Sequence, residues 1–275
     1  MNKILLALIL LLAIFSSFGQ NKIEENSKLI VAEGKHLYKL EMASWFGTDV
    51  FMEQFKDHGK IGGFFSYEDA NLVKCIFFSK EQKPKVIGTI SFDSSYNTKE
   101  ARSDLSIRNF TRVEEQLFLI RSIANEKIRT DTGIKLYEQT DPNLIPIITK
   151  NERKVYILTG PHANGIVIFG NDYLLTFTPK NILVEVKPLH KEMSVLNYGT
   201  KTENDDSVFG TIHSHISETD ELITATDICT LMLYEKIAKW EQHMVVSKNF
   251  FSIWDCKNDL LTIVAKDAIE KISKY

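Results

Sequence analysis

The sequence predicts an α+β fold. Short apolar runs recur between residues 144 and 186, and Gly, Pro, Asn and Asp residues separate them, a pattern typical of an antiparallel meander of strands. An amphipathic helical pattern precedes these runs, and a second one follows them. With 275 residues, 44% of them hydrophobic, the chain is long and apolar enough for one large domain or two modest ones.

The segment over residues 21–104 is predicted to form an irregular α+β region ahead of the main domain. Residues 29–31 are a short apolar run that predicts a strand, whereas residues 39–55 have mixed helical character. Residues 73–78 and 86–92 predict the two strands of a β-hairpin, because a polar turn separates them.

A helix is predicted to open the second region of the chain. Thr111 and Glu114 have the spacing of a capping box, and apolar residues then recur at helical spacing as far as about Ile128. Five predicted strands of the meander follow, over residues 144–148, 155–158, 165–169, 173–177 and 182–186.

The last part of the chain alternates strands with helices. Residues 208–215 predict a strand, and a helix follows from Thr226 or Asp227 to about Trp240. Three more strands are predicted over residues 243–246, 250–254 and 260–264, before a final amphipathic helix over residues 265–273.

The first twenty residues have the layout of a secretory signal peptide. Lys3 gives a positive start, residues 4–15 are continuously apolar, and residues 16–20 are mostly small or polar. The apolar run of about a dozen residues is short for a bilayer span. We therefore expect cleavage near Gly19 or Gln20, a secreted or periplasmic protein, and no stable membrane span after cleavage. The alternative is an uncleaved anchor.

Charge and cysteine usage exclude several classes of function. A net charge of -3, with no basic run interleaved with aromatic residues, gives no reason to expect nucleic acid as a partner. The three cysteines have no Cys-x-x-Cys spacing, which excludes a four-cysteine zinc site, and their odd number leaves at least one free thiol.

The strongest chemical signal is a His-x-His pair followed by an aspartate. His213 and His215 are two residues apart in a predicted strand, so both imidazoles point to the same side. Asp227 opens the next predicted helix and supplies a third ligand. These three side chains predict a zinc site whose fourth position is left for water. The alternative is that the histidines are exposed loop residues and that Asp227 only caps the helix.

At these residues the chain resembles the JAMM (MPN+) zinc metalloproteases. That family places a His-x-His pair at a strand end and, about ten residues later, Ser-x-x-Asp at a helix start. Residues 210–215, Gly-Thr-Ile-His-Ser-His, are similar to the first motif. Residues 224–227, Thr-Ala-Thr-Asp, resemble the second, with Thr in place of Ser. The resemblance covers residues 105–275. It implies a mixed or antiparallel sheet flanked by helices, with residues 21–104 as an N-terminal accessory segment.

The resemblance also implies roles for individual residues. His213, His215 and Asp227 would be the zinc ligands, and Thr224 would replace the serine that supports the oxyanion. The family's general base is a glutamate before a Gly-rich strand, and His162 stands at the matching position here. A neutral imidazole can act as a base near pH 7. The alternatives for His162 are an additional ligand or a turn cap.

The function expected from the resemblance is that of a secreted zinc peptidase or isopeptidase. Its substrate would be an unidentified extracytoplasmic polypeptide or peptide cross-link. Because the usual glutamate is missing, the alternative is a catalytically silent JAMM-like module that binds or scaffolds a partner. A third interpretation is a secreted structural protein in which the His-x-His run is accidental. His243 is interpreted as structural, and His190 has no partner at ligand spacing.

Overall fold

The computed structural model describes residues 3–198, 210–215 and 221–272, and it describes side chains from residue 21 to residue 269 within those ranges. It confirms the α+β class, since four helices accompany mostly antiparallel sheets in the described part of the chain. The first two residues of the strand predicted over residues 208–215 and the last residue of the final predicted helix lie outside the described residues.

A single long helix, α1 (Lys3–Gln54), replaces most of the irregular N-terminal segment. The strand predicted over residues 29–31 is therefore wrong. Ile30 and Val31 pack against an apolar core as part of the helix, and a run of three apolar residues fits one helix face as well as a strand. The helix predicted over residues 39–55 is confirmed as the second half of α1.

The predicted signal peptide falls at the start of α1. The backbone is helical from Lys3, while the side chains of the first twenty residues lie outside those that the structure describes. Among the described residues, no helix is both long enough and apolar enough to cross a membrane. Cleavage near Gly19 or Gln20 remains a prediction.

The first sheet is a four-stranded antiparallel sheet that packs against α1. Its strands pair in chain order, and they are β1 (Ile61–Asp69), β2 (Leu72–Ser79), β3 (Val86–Phe92) and β4 (Arg102–Asp104). The predicted hairpin is confirmed as β2 and β3. A short 3-10 turn, His58–Lys60, connects α1 to β1.

The second helix, α2 (Arg112–Thr130), begins with the capping box predicted from Thr111 and Glu114. The Glu114 backbone N–H donates to Thr111 Oγ1, and the Thr111 backbone N–H donates to Glu114 Oε2. These two bonds satisfy donors that a helix start otherwise leaves without partners. The buried face of α2 includes Ile120 and Ala124, which pack on the second sheet.

The second sheet is antiparallel and has the strand order β5-β6-β8-β9. Its strands are β5 (Thr140–Ile148), β6 (Arg153–Pro161), β8 (Tyr173–Phe177) and β9 (Leu183–Pro188). The predicted meander is thus largely confirmed, with one exception. The strand β7 (Ile166–Gly170) leaves this sheet and pairs with β10 (Met193–Asn197). Val167 and Phe169 are buried in a separate core, and that burial accounts for the departure.

The third sheet contains the unit on which the predicted metal ligands lie. Strand β11 (Gly210–Ser214) is followed by helix α3 (Ala225–Ala238) and by β12 (Gln242–Val246), which pairs parallel to β11. Strands β13 (Phe250–Asp255) and β14 (Leu260–Ala265) continue the sheet antiparallel, and α4 (Lys266–Ile272) ends the described chain.

The main hydrophobic core joins residues from both sides of position 104. Leu37 and Phe51 of α1 belong to the same buried cluster as Leu158 of β6 and Leu233 of α3. Gly34 permits the closest approach of α1 to α3, because a Cβ at this position would lie 2.7 Å from Ile228 Cβ. The helix α1 therefore forms one side of the core and packs against α3.

Candidate metal site

The end of β11 presents a row of side chains on one face. Thr211, His213 and His215 alternate along extended backbone and so point to the same side. The rings of both histidines are buried, and their Nε2 atoms lie 3.2 Å apart. The His215 Nδ1–H donates to the carbonyl of Leu222 at 3.1 Å. A carbonyl can only accept, so Nδ1 carries the proton and Nε2 of neutral His215 offers a lone pair.

Asp227 reaches the histidines from the first turn of α3. Thr224, the residue that caps this helix, donates to Asp227 Oδ2 from both its backbone N–H and its hydroxyl, each at 2.8 Å. The Asp227 backbone N–H in turn donates to Thr224 Oγ1 at 3.1 Å. This reciprocal capping box fixes the carboxylate at the site.

The second carboxylate oxygen of Asp227 is left for another partner. Oδ1 is buried and accepts no hydrogen bond within the described part of the chain. It lies 3.5 Å from His213 Nε2, while Oδ2 lies 3.3 Å from His215 Nε2. A buried carboxylate oxygen without a donor is costly unless a cation or a hydrogen bond satisfies it.

His190 is a further member of the cluster, which no spacing in the sequence predicts. It lies in the connection between β9 and β10, with Nε2 at 3.3 Å from Asp227 Oδ1 and 3.3 Å from Thr224 Oγ1. Its Nδ1 lies 3.6 Å from the buried carboxylate of Asp172. The connection passes close to Gly170, where φ is +93° and a Cβ would meet Glu192 O at 2.2 Å, so only glycine fits there.

These donors have the chemistry and spacing of a metal site. The ligand atoms of His190, His215 and Asp227 all lie within 4.8 Å of one another, so this buried group could hold a metal ion. A tetrahedral zinc ion with bonds of about 2.0–2.1 Å holds its ligand atoms about 3.3–3.4 Å apart. His213 does not belong to that group, but its Nε2 lies 3.2 Å from His215 Nε2 and 3.5 Å from Asp227 Oδ1, close to the tetrahedral value. His190 lies 3.3 Å from the same oxygen, whereas His215 lies 3.3 Å from the other one, Oδ2.

The electrostatics give His213 and Asp227 the protonation states that a metal needs. Burial lowers the pKa of His213 to about 4, against the opposing effect of the Asp227 carboxylate, so the ring is neutral at pH 7. Burial alone would raise the pKa of Asp227, but His190, His213 and the histidine hydrogen bonds hold it well below its usual range. Neutral imidazole and ionised carboxylate are the forms that bind metal ions.

The buried side chain of His243 orients His213 through a contact with its Nδ1. Its Nε2 lies 2.7 Å from His213 Nδ1, and its Nδ1 lies 2.6 Å from Thr211 Oγ1. If His213 offers its Nε2 lone pair to a metal, its Nδ1–H must donate to His243, and His243 must then donate to Thr211. Phe169 stacks on both rings with centroids 4.9 Å and 4.8 Å away, which limits their rotation.

We expect that replacing His243 with Phe weakens metal binding about 10–100-fold, because His213 Nδ1 loses its acceptor. Phe keeps the stacking on Phe169, and His243→Gln keeps an acceptor, so the Gln variant should retain more affinity than the Phe variant. A competition titration with a chromophoric chelator measures both affinities. Equal affinity in wild type and His243→Phe would show that this contact does not orient the ligand.

The two residues predicted to be catalytic lie in different places. Thr224 is within the cluster, but its hydroxyl is engaged with Asp227 as described above. His162 follows the end of β6, where its Nε2 lies 2.9 Å from Asp141 Oδ2 and its ring is about half exposed. Among the described residues, the polar contacts of His162 are with Asp141 and Gln139, not with the cluster.

His190 and His243 were not predicted to belong to this site, for different reasons. His190 lies in a connection, and no spacing rule links it to His213. His243 did carry a signal, because a strand–helix–strand order predicts that β11 and β12 pair in parallel and so brings position 243 beside Thr211.

Comparison with known proteins adds no assignment. No protein-family model, curated protein or solved structure matches this chain.

Proposed function

We propose that this protein is a zinc-dependent hydrolase that cleaves a peptide or isopeptide bond in an extracytoplasmic polypeptide. The observation that carries the proposal is the convergence of a His-x-His strand end, a helix-opening aspartate and His190 on one buried cluster. The resemblance of the two motifs to those of the JAMM metalloproteases supports this reaction class.

Zinc is the metal that suits this donor set best. Imidazole nitrogens and one carboxylate, at spacings that suit four ligands, are typical of zinc sites. A bound zinc ion would polarise the scissile carbonyl and lower the pKa of the attacking water. His213, His215 and Asp227 would hold it, and Thr224 would keep Asp227 in place rather than support an oxyanion, since its hydroxyl is already used twice.

We assign the general base to His190. Its Nε2 lies at the cluster, where it would take a proton from the attacking water and return it to the leaving amine. The Asp172 carboxylate faces the opposite ring nitrogen, and the Thr159 backbone N–H donates to Asp172 Oδ1 at 3.0 Å. At 3.6 Å this carboxylate is too far for a hydrogen bond, but it places a negative charge beside the ring that would stabilise the imidazolium formed when His190 takes a proton. His162 has its described polar contacts elsewhere, which favours His190 over it.

A second candidate function is a metal-binding module without catalysis. The observation that favours it is the number of protein donors, since His190, His213, His215 and Asp227 together supply four. Zinc sites with four protein ligands are typically structural, whereas catalytic sites keep one position open. The two candidates assign different roles to His190, so a variant of this residue separates them.

The test measures zinc content and hydrolysis in wild type and in His190→Ala. Mature protein is loaded with zinc, its metal is measured by mass spectrometry, and cleavage is followed with quenched fluorescent peptide libraries and isopeptide-linked peptides. A catalytic His190 predicts a variant that keeps about one zinc and loses hydrolysis by about 100-fold or more. His58→Ala, which removes an exposed histidine far from α3 in sequence, is the matched control.

Three results would contradict the hydrolase. The first is wild type that binds no zinc. The second is zinc-loaded wild type that cleaves no peptide or isopeptide in the libraries. The third is a His190→Ala variant that loses its zinc, together with X-ray absorption showing four protein ligands in wild type. The third result would establish the metal-binding module instead.

A further inference from the structure

A cavity lies between α1, α2, α3 and the second sheet, and none of the four donors of the metal site lines it. Its volume is about 670 Å³, within the range of small-molecule sites. Trp45 and Tyr234 form an aromatic wall, with ring centroids 5.4 Å apart in an edge-to-face arrangement. The cavity combines this apolar wall with charged groups of both signs.

Arg121 supplies the positive charge. It projects from α2 into the cavity wall, its Nε is buried, and this atom makes no hydrogen bond with any residue that the structure describes. Its guanidinium lies 5.6 Å from the Phe78 ring centroid, and within the described ranges no carboxylate forms an ion pair with it. Burial lowers the pKa of Arg121 to about 10, and no neighbouring charge offsets that effect.

Glu41 supplies a buried carboxyl group in the same cavity. Its side chain is 3% exposed, and Asn143 Nδ2 donates to Oε2. Burial raises the pKa of Glu41 to about 7, with only the Asn143 hydrogen bond opposing it. Arg121 is partly buried and does not pair with Glu41, so ligand groups of opposite charge would offset the desolvation of both side chains.

Two exposed carboxylates also line the cavity, one of which, Asp141, contacts His162. The other is Asp49, and the side chain of Asp141 is 80% exposed. Exposed carboxylates around a cleft raise the local concentration of cationic groups. An anion without a positive group would be repelled here, whereas a molecule with both charges would be attracted and could still reach Arg121.

We propose that this cavity binds a small zwitterion of the amino-acid or short-peptide class. Its carboxylate would pair with Arg121, its ammonium group with Glu41, and its apolar side chain would pack on Trp45 and Tyr234. A guanidinium suits a carboxylate because its N–H groups match the two oxygens in a planar, bidentate pair. The cavity is separate from the metal site, so the proposal does not depend on zinc or on hydrolysis.

The test uses calorimetric titration of the full chain with four probes. L-phenylalanine and glycyl-L-phenylalanine carry both charges, L-phenylalaninamide lacks the carboxylate, and 3-phenylpropionate lacks the ammonium group. We expect saturable binding of at least one zwitterion and at least about 10-fold weaker binding of the two single-charge probes, since each forfeits one charge-assisted contact. Zinc-free wild type should bind the zwitterion as zinc-loaded wild type does.

Variants of the two charged residues locate the site. Arg121→Gln should lose discrimination between L-phenylalanine and L-phenylalaninamide, and Glu41→Gln should lose discrimination between L-phenylalanine and 3-phenylpropionate. Arg112→Gln, which removes an exposed arginine from the same helix, should bind every probe as wild type does. The melting temperature without ligand supplies a second readout. If Arg121 is held for a ligand, Arg121→Gln does not lower it, because the change removes a buried charge that has no ion-pair partner.

Several outcomes would overturn the proposal. One is wild type that binds neither zwitterion at millimolar concentrations. Another is Arg121→Gln that binds all probes with unchanged affinities. A third is Arg121→Gln that lowers the melting temperature and leaves probe binding unaltered, which would make Arg121 a structural partner of Phe78.

Discussion

Replacing Asp227 with Asn should lower zinc affinity by more than about 100-fold. This effect is larger than that expected for residues, such as His243, that orient a ligand. The change removes the only carboxylate among the four donors described at the cluster. If the Asn oxygen keeps the bond from Thr224, an NH2 group takes the place of Oδ1, the buried oxygen without a hydrogen bond, and this group cannot bind a cation. The loss is measured by mass spectrometry of the dialysed protein and by chelator competition.

The substitution separates loss of metal from loss of fold. An Asn side-chain oxygen can still accept from the Thr224 backbone N–H, so the start of α3 should persist. Circular dichroism of the metal-free variant should therefore match metal-free wild type. Ser214→Ala is the matched control, because Ser214 lies between the two histidines but is exposed. Undiminished zinc in Asp227→Asn would remove Asp227 from the ligand set.

The largest effect on stability is expected from Glu114→Gln. The Glu114 carboxylate is fully buried and accepts four hydrogen bonds, two from Arg108, one from Tyr67 and one from the Thr111 backbone. Gln retains the shape but not the charge, so the bidentate pair with Arg108 is lost. We expect the free energy of unfolding to fall by about 3 kcal/mol, toward the lower end for a broken buried pair because Arg108 is partly exposed. Urea unfolding at pH 7 measures this difference.

The same carboxylate predicts a dependence of stability on pH. Burial alone would raise the pKa of Glu114, but the hydrogen bonds from Arg108, Thr111 and Tyr67 outweigh it and lower the pKa from 4.5 to about 2. The folded state therefore binds this proton less tightly than the unfolded state does. Its contribution to stability is complete above pH 4.5 and is lost as the pH falls toward 2.

Comparison of wild type with Glu114→Gln over this range isolates the contribution. The difference in unfolding free energy between the two proteins should be constant at neutral pH and should shrink between about pH 5 and pH 2. Glu115→Gln changes the exposed neighbour in the same helical turn and should leave the pH profile as it is in wild type. A difference that does not change with pH would show that the Glu114 charge contributes nothing.

The parts of the fold that depend on local sequence could be predicted. The start of α2 follows from the spacing of Thr111 and Glu114, and the hairpin of β2 and β3 follows from two apolar runs around a turn. The partner of β7 could not be predicted, because pairing with β10 depends on contacts formed far along the chain. Residues 29–31 were misassigned because three apolar residues do not reveal whether a strand or a longer helix contains them.

The site residues, too, could be predicted only where they are close in sequence. His213, His215 and Asp227 are close in sequence, and one strand end and one helix start bring them together, so their spacing was informative. His190 reaches the cluster only because the β7–β10 pairing positions the connection that carries it. His162 was selected by position within a motif, and the structure pairs it with Asp141 instead of bringing it into contact with the cluster.

The packing of Gly34 against Ile228 has a consequence for how the protein is made. The helix α1 is synthesised well before α3, against which it packs. The apolar face of α1 therefore lacks its final packing partner until α3 has been synthesised. Contacts between residues so distant in sequence slow folding and expose apolar surface in the meantime. We therefore expect the nascent chain to need a chaperone until α3 has been synthesised, and the donors on β11 and α3 to assemble only then.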